Sequence, residues 1–198
     1  MKKLILLLCL PMAAFTQKKV EGSCECCEAI YHNMPRNLSW ETQISDKNEE
    51  GESMEITGII YQKDGKTPAP DVILYVYHTD ARGKYSRGTG DDCSKRHGKL
   101  RGWVKTNSQG RYKFTSIRPA SYPDDTMPAH IHPTIKEPNK NEYYIDEYRF
   151  LDDKFLTKEE ITKDENRGGS GVIELKKNNK GVWIGKRDII LGKNIPNY

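Results

Sequence analysis

Between Met54 and Tyr61 apolar and polar side chains alternate and then close into an apolar run, Met54-Glu55-Ile56-Thr57-Gly58-Ile59-Ile60-Tyr61. A period of two predicts a strand with one buried face. After the turn composition of Asp64 to Pro70, the β-branched and aromatic run Val72 to His78 predicts a central strand. Leu100 to Thr106 and Arg111 to Ile117 predict two more, joined by Asn107-Ser108-Gln109-Gly110, a hairpin connection with glycine where positive φ is needed. A strand through His130 and another over Glu142 to Phe150 follow. Alternation returns in Val172 to Leu175, Val182 to Ile184 and Asp188 to Leu191, which predict a closing hairpin. Thr157 to Lys163 carries the one helical signal, a capping box of Thr157 and Glu160. Short strands at this density predict an all-β chain, an antiparallel β-sandwich with one short surface helix.

Composition narrows this picture. A chain of 198 residues suits one domain. Its 32 basic and 28 acidic side chains are mixed along the sequence, with a net charge of only +4. No basic stripe with interleaved aromatics stands out, so nucleic acid is not an expected partner. The start of the chain reads differently from the rest: Lys2 and Lys3, an apolar run from Leu4 to Leu10, then small residues. That pattern predicts a secretory signal peptide over residues 1–16, too short to be a permanent membrane span. Residues 17–53 are then a polar arm anchored by Tyr31, Leu38 and Trp40, and residues 54–198 the sandwich domain. The expected location is secreted or periplasmic. Export permits disulfides, and Cys24, Cys26, Cys27 and Cys93 allow three connectivities. One bond tying the N-terminal segment to the loop bearing Cys93 is expected, its partner among the first three left open.

The candidate chemistry centres on Pro128-Ala129-His130-Ile131-His132-Pro133. In an extended segment both imidazoles point to one face and Ile131 to the other, the way a strand offers two nitrogens to one metal. Pro133 removes a backbone donor, which predicts a short strand or one at a sheet edge. A metal needs about four donors, counting solvent. Tyr122, in the loop eight positions before His130, and Tyr85, at a turn just after the central strand, are candidates to complete the set. Of the other histidines, His78 ends the central strand and is expected to pack or hydrogen-bond. His97 lies in the charged loop Asp91 to Lys99 and is expected to be solvated.

Taken in order, Val76-Tyr77-His78-Thr79-Asp80-Ala81-Arg82-Gly83-Lys84-Tyr85, Arg101-Gly102-Trp103-Val104, Ile117-Arg118-Pro119-Ala120-Ser121-Tyr122-Pro123 and Pro128-Ala129-His130-Ile131-His132 resemble the intradiol ring-cleavage dioxygenases over residues 54–152. The resemblance implies a non-haem Fe(III) cofactor held by Tyr85, Tyr122, His130 and His132. It also implies cleavage of a catechol-like substrate by dioxygen to a muconate-type diacid. By position, Tyr122 resembles the tyrosinate that stays on the metal and Tyr85 the one that leaves when substrate binds. A homodimer is compatible with the family. Two positions depart from its pattern: Met127 stands where an arginine is common, and Glu147 where a glutamine is. Both changes make the site less favourable to a dianion. Arg101 is the candidate to serve in the missing arginine's place, with Arg118 the likelier surface charge of the two. A non-catalytic β-sandwich that binds iron or a catechol is the competing expectation.

Overall fold

The computed structural model describes residues 20, 24–87 and 89–198. The segment read as a signal peptide lies outside the described residues. Two six-stranded sheets face each other. The first contains β1 (Glu41–Gln43), β2 (Ser53–Tyr61), β5 (Arg111–Ile117), β10 (Lys176–Lys177), β11 (Trp183–Lys186) and β12 (Ile189–Ile190). The second contains β3 (Ile73–His78), β4 (Arg101–Lys105), β6 (His130–Lys136), β7 (Tyr143–Tyr144), β8 (Tyr148–Phe150) and β9 (Val172–Ile173). The long neighbours pair antiparallel, β2 with β5 and β3 with both β4 and β6. Short strands add on in parallel: β1 to β5, β11 and β12 to β2, β9 to β8. The closing hairpin is made by β10 and β11, while Val172 and Ile173 belong to the opposite sheet. The predicted hairpin therefore runs from one sheet to the other.

Alternation explains the core. Met54, Ile56 and Ile60 on β2, Tyr112 and Phe114 on β5, Leu74 and Val76 on β3, and Ile131 and Ile135 on β6 form the buried layer between the sheets. Burial of side chains of this size drives the sandwich, at roughly 1.5–3 kcal/mol each. Their strand neighbours of opposite parity, Tyr75, Tyr77, His130 and His132, therefore lie on the outer face of the second sheet. That face is covered by the N-terminal segment, whose 3-10 turn Cys27–Tyr31 takes a hydrogen bond from the Trp103 indole to the Ile30 carbonyl (2.6 Å).

Two features differ from expectation. The strand carrying the histidines has seven residues and lies inside its sheet, between β3 and the pair β7 and β8. It tolerates Pro133 because pairing with β8 ends at Ile131 and pairing with β7 begins only at Thr134. In between, residues 145–147 bulge opposite residues 132–133, so no partner asks Pro133 for a donor. The second difference is a helix in the charged loop, α1 (Asp92–Arg96), capped by the Asp91 carboxylate accepting from the Ser94 amide (2.8 Å). The predicted surface helix is α2 (Lys158–Thr162), with Thr157 accepting from the Glu160 amide (3.2 Å). Among the described residues no helix is long and apolar enough to cross a membrane.

Candidate metal centre

Each candidate donor is placed by local backbone chemistry. His130 and His132 share the outer face of β6, with His132 registered opposite Tyr77 of β3 and His130 opposite Arg149 of β8. Tyr85 follows a tight turn in which Asp80 accepts from the amides of Arg82 and Lys84 (2.9 Å each). Gly83 in that turn has φ +74°, and a Cβ there would fall 1.9 Å from the Ser121 carbonyl oxygen. Glycine thus lets the Tyr85 turn lie directly on the loop bearing Tyr122. The Thr79 hydroxyl, donating to the Ala120 carbonyl (2.7 Å), fixes the same contact.

The four donor atoms close a ring. Tyr85 Oη lies 3.2 Å from Tyr122 Oη, which lies 3.3 Å from His130 Nε2. His130 Nε2 is 3.0 Å from His132 Nε2, which is 2.9 Å from Tyr85 Oη. Both Nδ1 atoms are committed as donors, His130 to the Pro128 carbonyl (2.7 Å) and His132 to the Glu147 carboxylate (3.1 Å). The Nε2 atoms of neutral imidazoles therefore face each other as lone pairs. Two phenol protons must serve four edges, so two edges bring acceptor against acceptor. A cation at the centre removes that conflict, and donors about 2.0–2.2 Å from a metal lie about 3 Å from one another, as these do. Burial, then the hydrogen bond to Tyr122, hold the Tyr85 phenol well above the ordinary tyrosine range, so its ionisation calls for such a cation. The residues fit a metal with hard, anionic oxygen and imidazole ligands.

Glu147 sits in the bulge between β7 and β8, which aims its carboxylate at His132. Burial opposes its ionisation, but the hydrogen bond from His132, aided by the Arg149 charge, outweighs burial and lowers its pKa to about 2. A carboxylate on the far nitrogen fixes the tautomer and raises the basicity of a ligating imidazole. Behind the ring stands an aromatic column absent from the sequence reading. The Tyr77 ring stacks on His132 at 4.5 Å and 17° and, by its other face, on His97 at 3.7 Å and 7°. His97 is 5% exposed, hydrogen-bonded to the Tyr75 hydroxyl (3.0 Å), and pushed down to about pKa 4, mainly by burial. It is not the solvated loop residue expected, because α1 turns it inward against the sheet. His78 is buried as expected, donating to the Thr79 carbonyl (2.7 Å) and accepting from the Ser116 hydroxyl of the other sheet (2.8 Å).

A cavity of about 740 Å³ opens on the ring and is lined by Tyr77, Tyr85, Tyr122, His97 and His132 together with Glu25, Cys26, Arg87, Lys95 and Arg96. Arg101 is not among these. It donates to the Ser94 carbonyl (3.1 Å) and, by charge and hydrogen bond, offsets part of the burial that takes Tyr75 to about pKa 12. Arg118 is also elsewhere, paired with both oxygens of Asp152 (2.9 and 2.8 Å). The cations at the cavity are Arg87, Lys95 and Arg96, the last two from the charged loop Asp91 to Lys99. Cys26 bonds to Cys93 and Cys24 to Cys27, so the N-terminal segment is tied to α1 as expected and carries a second bridge of its own.

The dioxygenase family model matches residues 30–181, most of the chain. The chain belongs to the intradiol ring-cleavage dioxygenase family, whose members are enzymes known for non-haem iron. A catechol 1,2-dioxygenase from Acinetobacter lwoffii is 25% identical over 161 residues, 71% of this chain, and the match spans 56% of that enzyme's length. Among solved structures, the dioxygenase domain of a carbohydrate-binding fusion protein from Streptomyces sp. SirexAA-E superposes with a TM-score of 0.59 at 18% identity. That match covers 80% of this chain and 91% of the other. The 3-chlorocatechol 1,2-dioxygenase of Rhodococcus opacus 1CP gives 0.60 at 22% identity, covering 79% and 66%. At these identities the superpositions speak to the fold.

Proposed function

We propose that this chain is a secreted or periplasmic, Fe(III)-dependent intradiol dioxygenase that opens a catechol-like aromatic to a muconate-type diacid. The observation that carries the reading is the closed ring of Tyr85, Tyr122, His130 and His132, with edges of 2.9–3.3 Å and too few protons to satisfy them. Fe(III) held by these four residues would supply Lewis-acid and template chemistry for the reaction of a catechol with dioxygen. His130 and His132 present Nε2, each oriented through its Nδ1 by Pro128 or Glu147. Tyr122, held between Tyr85 and His130, is the fixed phenolate. Tyr85 would be the group that takes a proton from an arriving catechol hydroxyl, a transfer favoured by the burial that strengthens its hold on a proton. Tyr77 and His97 wall the far side of His132. The two disulfides and the leader-like start of the chain support export.

Purified protein loaded with Fe(III) is expected to be red-brown from phenolate-to-iron charge transfer. Catechol should alter the colour, with oxygen uptake and formation of a diacid. A preparation that stays colourless after loading refutes the reading; a colour change without oxygen uptake indicates instead a non-catalytic iron- or catechol-binding module.

A further inference from the structure

Two cavities meet at the metal-centre residues and differ in charge. The smaller, about 230 Å³, is lined by the carboxylates Glu25 and Glu147 and by no lysine or arginine among the described residues. The larger, about 740 Å³, carries Arg87, Lys95 and Arg96 against the single carboxylate Glu25. Glu25 is already engaged by Arg96 (3.0 Å), so the larger wall keeps a positive excess. Arg96 is further held where it stands, its guanidinium donating to Cys26 Sγ (2.6 Å) of the bridge that joins the N-terminal segment to α1. Arg87 is exposed and has no ion pair or hydrogen bond among the described residues. Two guanidiniums lining one cavity, one of them unengaged, offer a carboxylate charge-assisted hydrogen bonds.

Size points the same way as charge. A volume of about 740 Å³ falls in the range of roughly 300–1,000 Å³ that holds ligands much larger than one ring. A single ring bound at the donors does not fill that space, and the rest of it, walled in part by the three cations, is left for a substituent. The smaller cavity offers an anionic tail no lysine or arginine among the described residues, whereas the larger offers three such side chains.

We infer that the substrate is a catechol extended by a side chain that ends in a carboxylate, and that Arg96 and Arg87 determine this specificity. The inference rests on the ring being a catechol site, as proposed above. It is tested by titrating iron-loaded protein anaerobically with 3,4-dihydroxycinnamate and, separately, with its methyl ester, following the visible band to obtain each dissociation constant. The two probes share length and ring and differ in charge. The acid is expected to bind about tenfold more tightly at low salt, and the margin to shrink as salt rises. Arg87→Gln and Arg96→Gln are each expected to weaken the acid roughly three- to tenfold while leaving the ester within about twofold. Arg87→Gln disturbs no partner among the described residues, so its outcome is independent of the wall that Arg96 helps to hold. Equal affinity for acid and ester in the unaltered protein, or a preference that survives both substitutions together, overturns the inference while leaving the dioxygenase reading standing. A protein that is coloured by iron and binds catechol but neither compound overturns the inference alone; one that binds no catechol either overturns both.

Discussion

The ring of metal donors and the cationic rim of the cavity are neighbours built on opposite principles. Every donor in the ring is fixed by backbone: two alternate residues of an interior strand, and two tyrosines on turns locked to each other through Gly83 and Ser121. Two of the rim's three cations, Lys95 at 50% and Arg96 at 61% exposure, are side chains on a five-residue helix held to the body through a disulfide, and the third, Arg87, lies in the loop before it. Sheet register can place atoms to a few tenths of an ångström, which a metal demands. A covalent tether places a charge only within a region, which is enough to select a substrate. The contrast predicts that the two regions fail separately.

The largest effect is expected within the ring. Tyr122→Phe removes one donor without altering volume, and the red-brown colour should be lost while the thermal unfolding midpoint stays near that of the parent. Colour retained in full would remove Tyr122 from the ligand set and with it half of the comparison. At the rim, Cys93→Ser opens a bridge between residues 67 apart in sequence. It should lower stability by about 2–4 kcal/mol in denaturant titrations. The iron colour of the folded protein should survive, and loss of colour in step with the bridge would show the regions to be coupled. A third measurement concerns His78, which joins the two sheets beside the site. Burial holds it uncharged with a pKa near 4, whereas in the unfolded chain it titrates at about 6.5. Its folded pKa is depressed and its charged form disfavoured, so its contribution is complete above about pH 6.5 and is lost as pH falls toward 4. The loss reaches roughly 3 kcal/mol at most. His78→Gln should flatten that acid limb between pH 7 and 4.5; an unchanged slope would assign the acid sensitivity elsewhere.

How legible these regions were differs for the same reason. The alternation in β2, the apolar run of β3 and the same-face histidines of β6 are local signals, and they led to the sandwich and to half of the ring. The tyrosines are harder to see, because nothing in Gly83-Lys84-Tyr85 or Ala120-Ser121-Tyr122 says that the two turns touch; only the resemblance brought them together. The rim was legible only as a charged loop, Asp91 to Lys99, at the mouth of the pocket; its helix was not. Five helical residues are too few for a periodic pattern, and α1 is announced only by its Asp91 cap. His97 reads as solvent-exposed among charged neighbours, yet its burial comes from Tyr75 and Tyr77 about twenty positions earlier and from a segment tied on by Cys26. Tyr77 was hidden differently: a strand apolar on both faces gives no hint that its outer face backs a metal ligand. Pro133 misled, since the bulge that accommodates it lies in the partner strands rather than in its own sequence.

That proline also constrains how the chain can fold wrongly. Sliding β6 by two residues past β7 and β8 would keep both imidazoles on the outer face and preserve most apolar contacts, so hydrophobic pattern alone is a weak guard against it. Such a slip would carry Pro133 out of the interruption and set a residue with no N–H against a paired carbonyl, leaving a buried acceptor unsatisfied at a cost of about 1–3 kcal/mol. It would also part His132 from the Glu147 carboxylate that orients it. The interruption and the proline thus act as a key and its slot: of the registers that present two histidines outward, the one that assembles the ring is the one the backbone accepts.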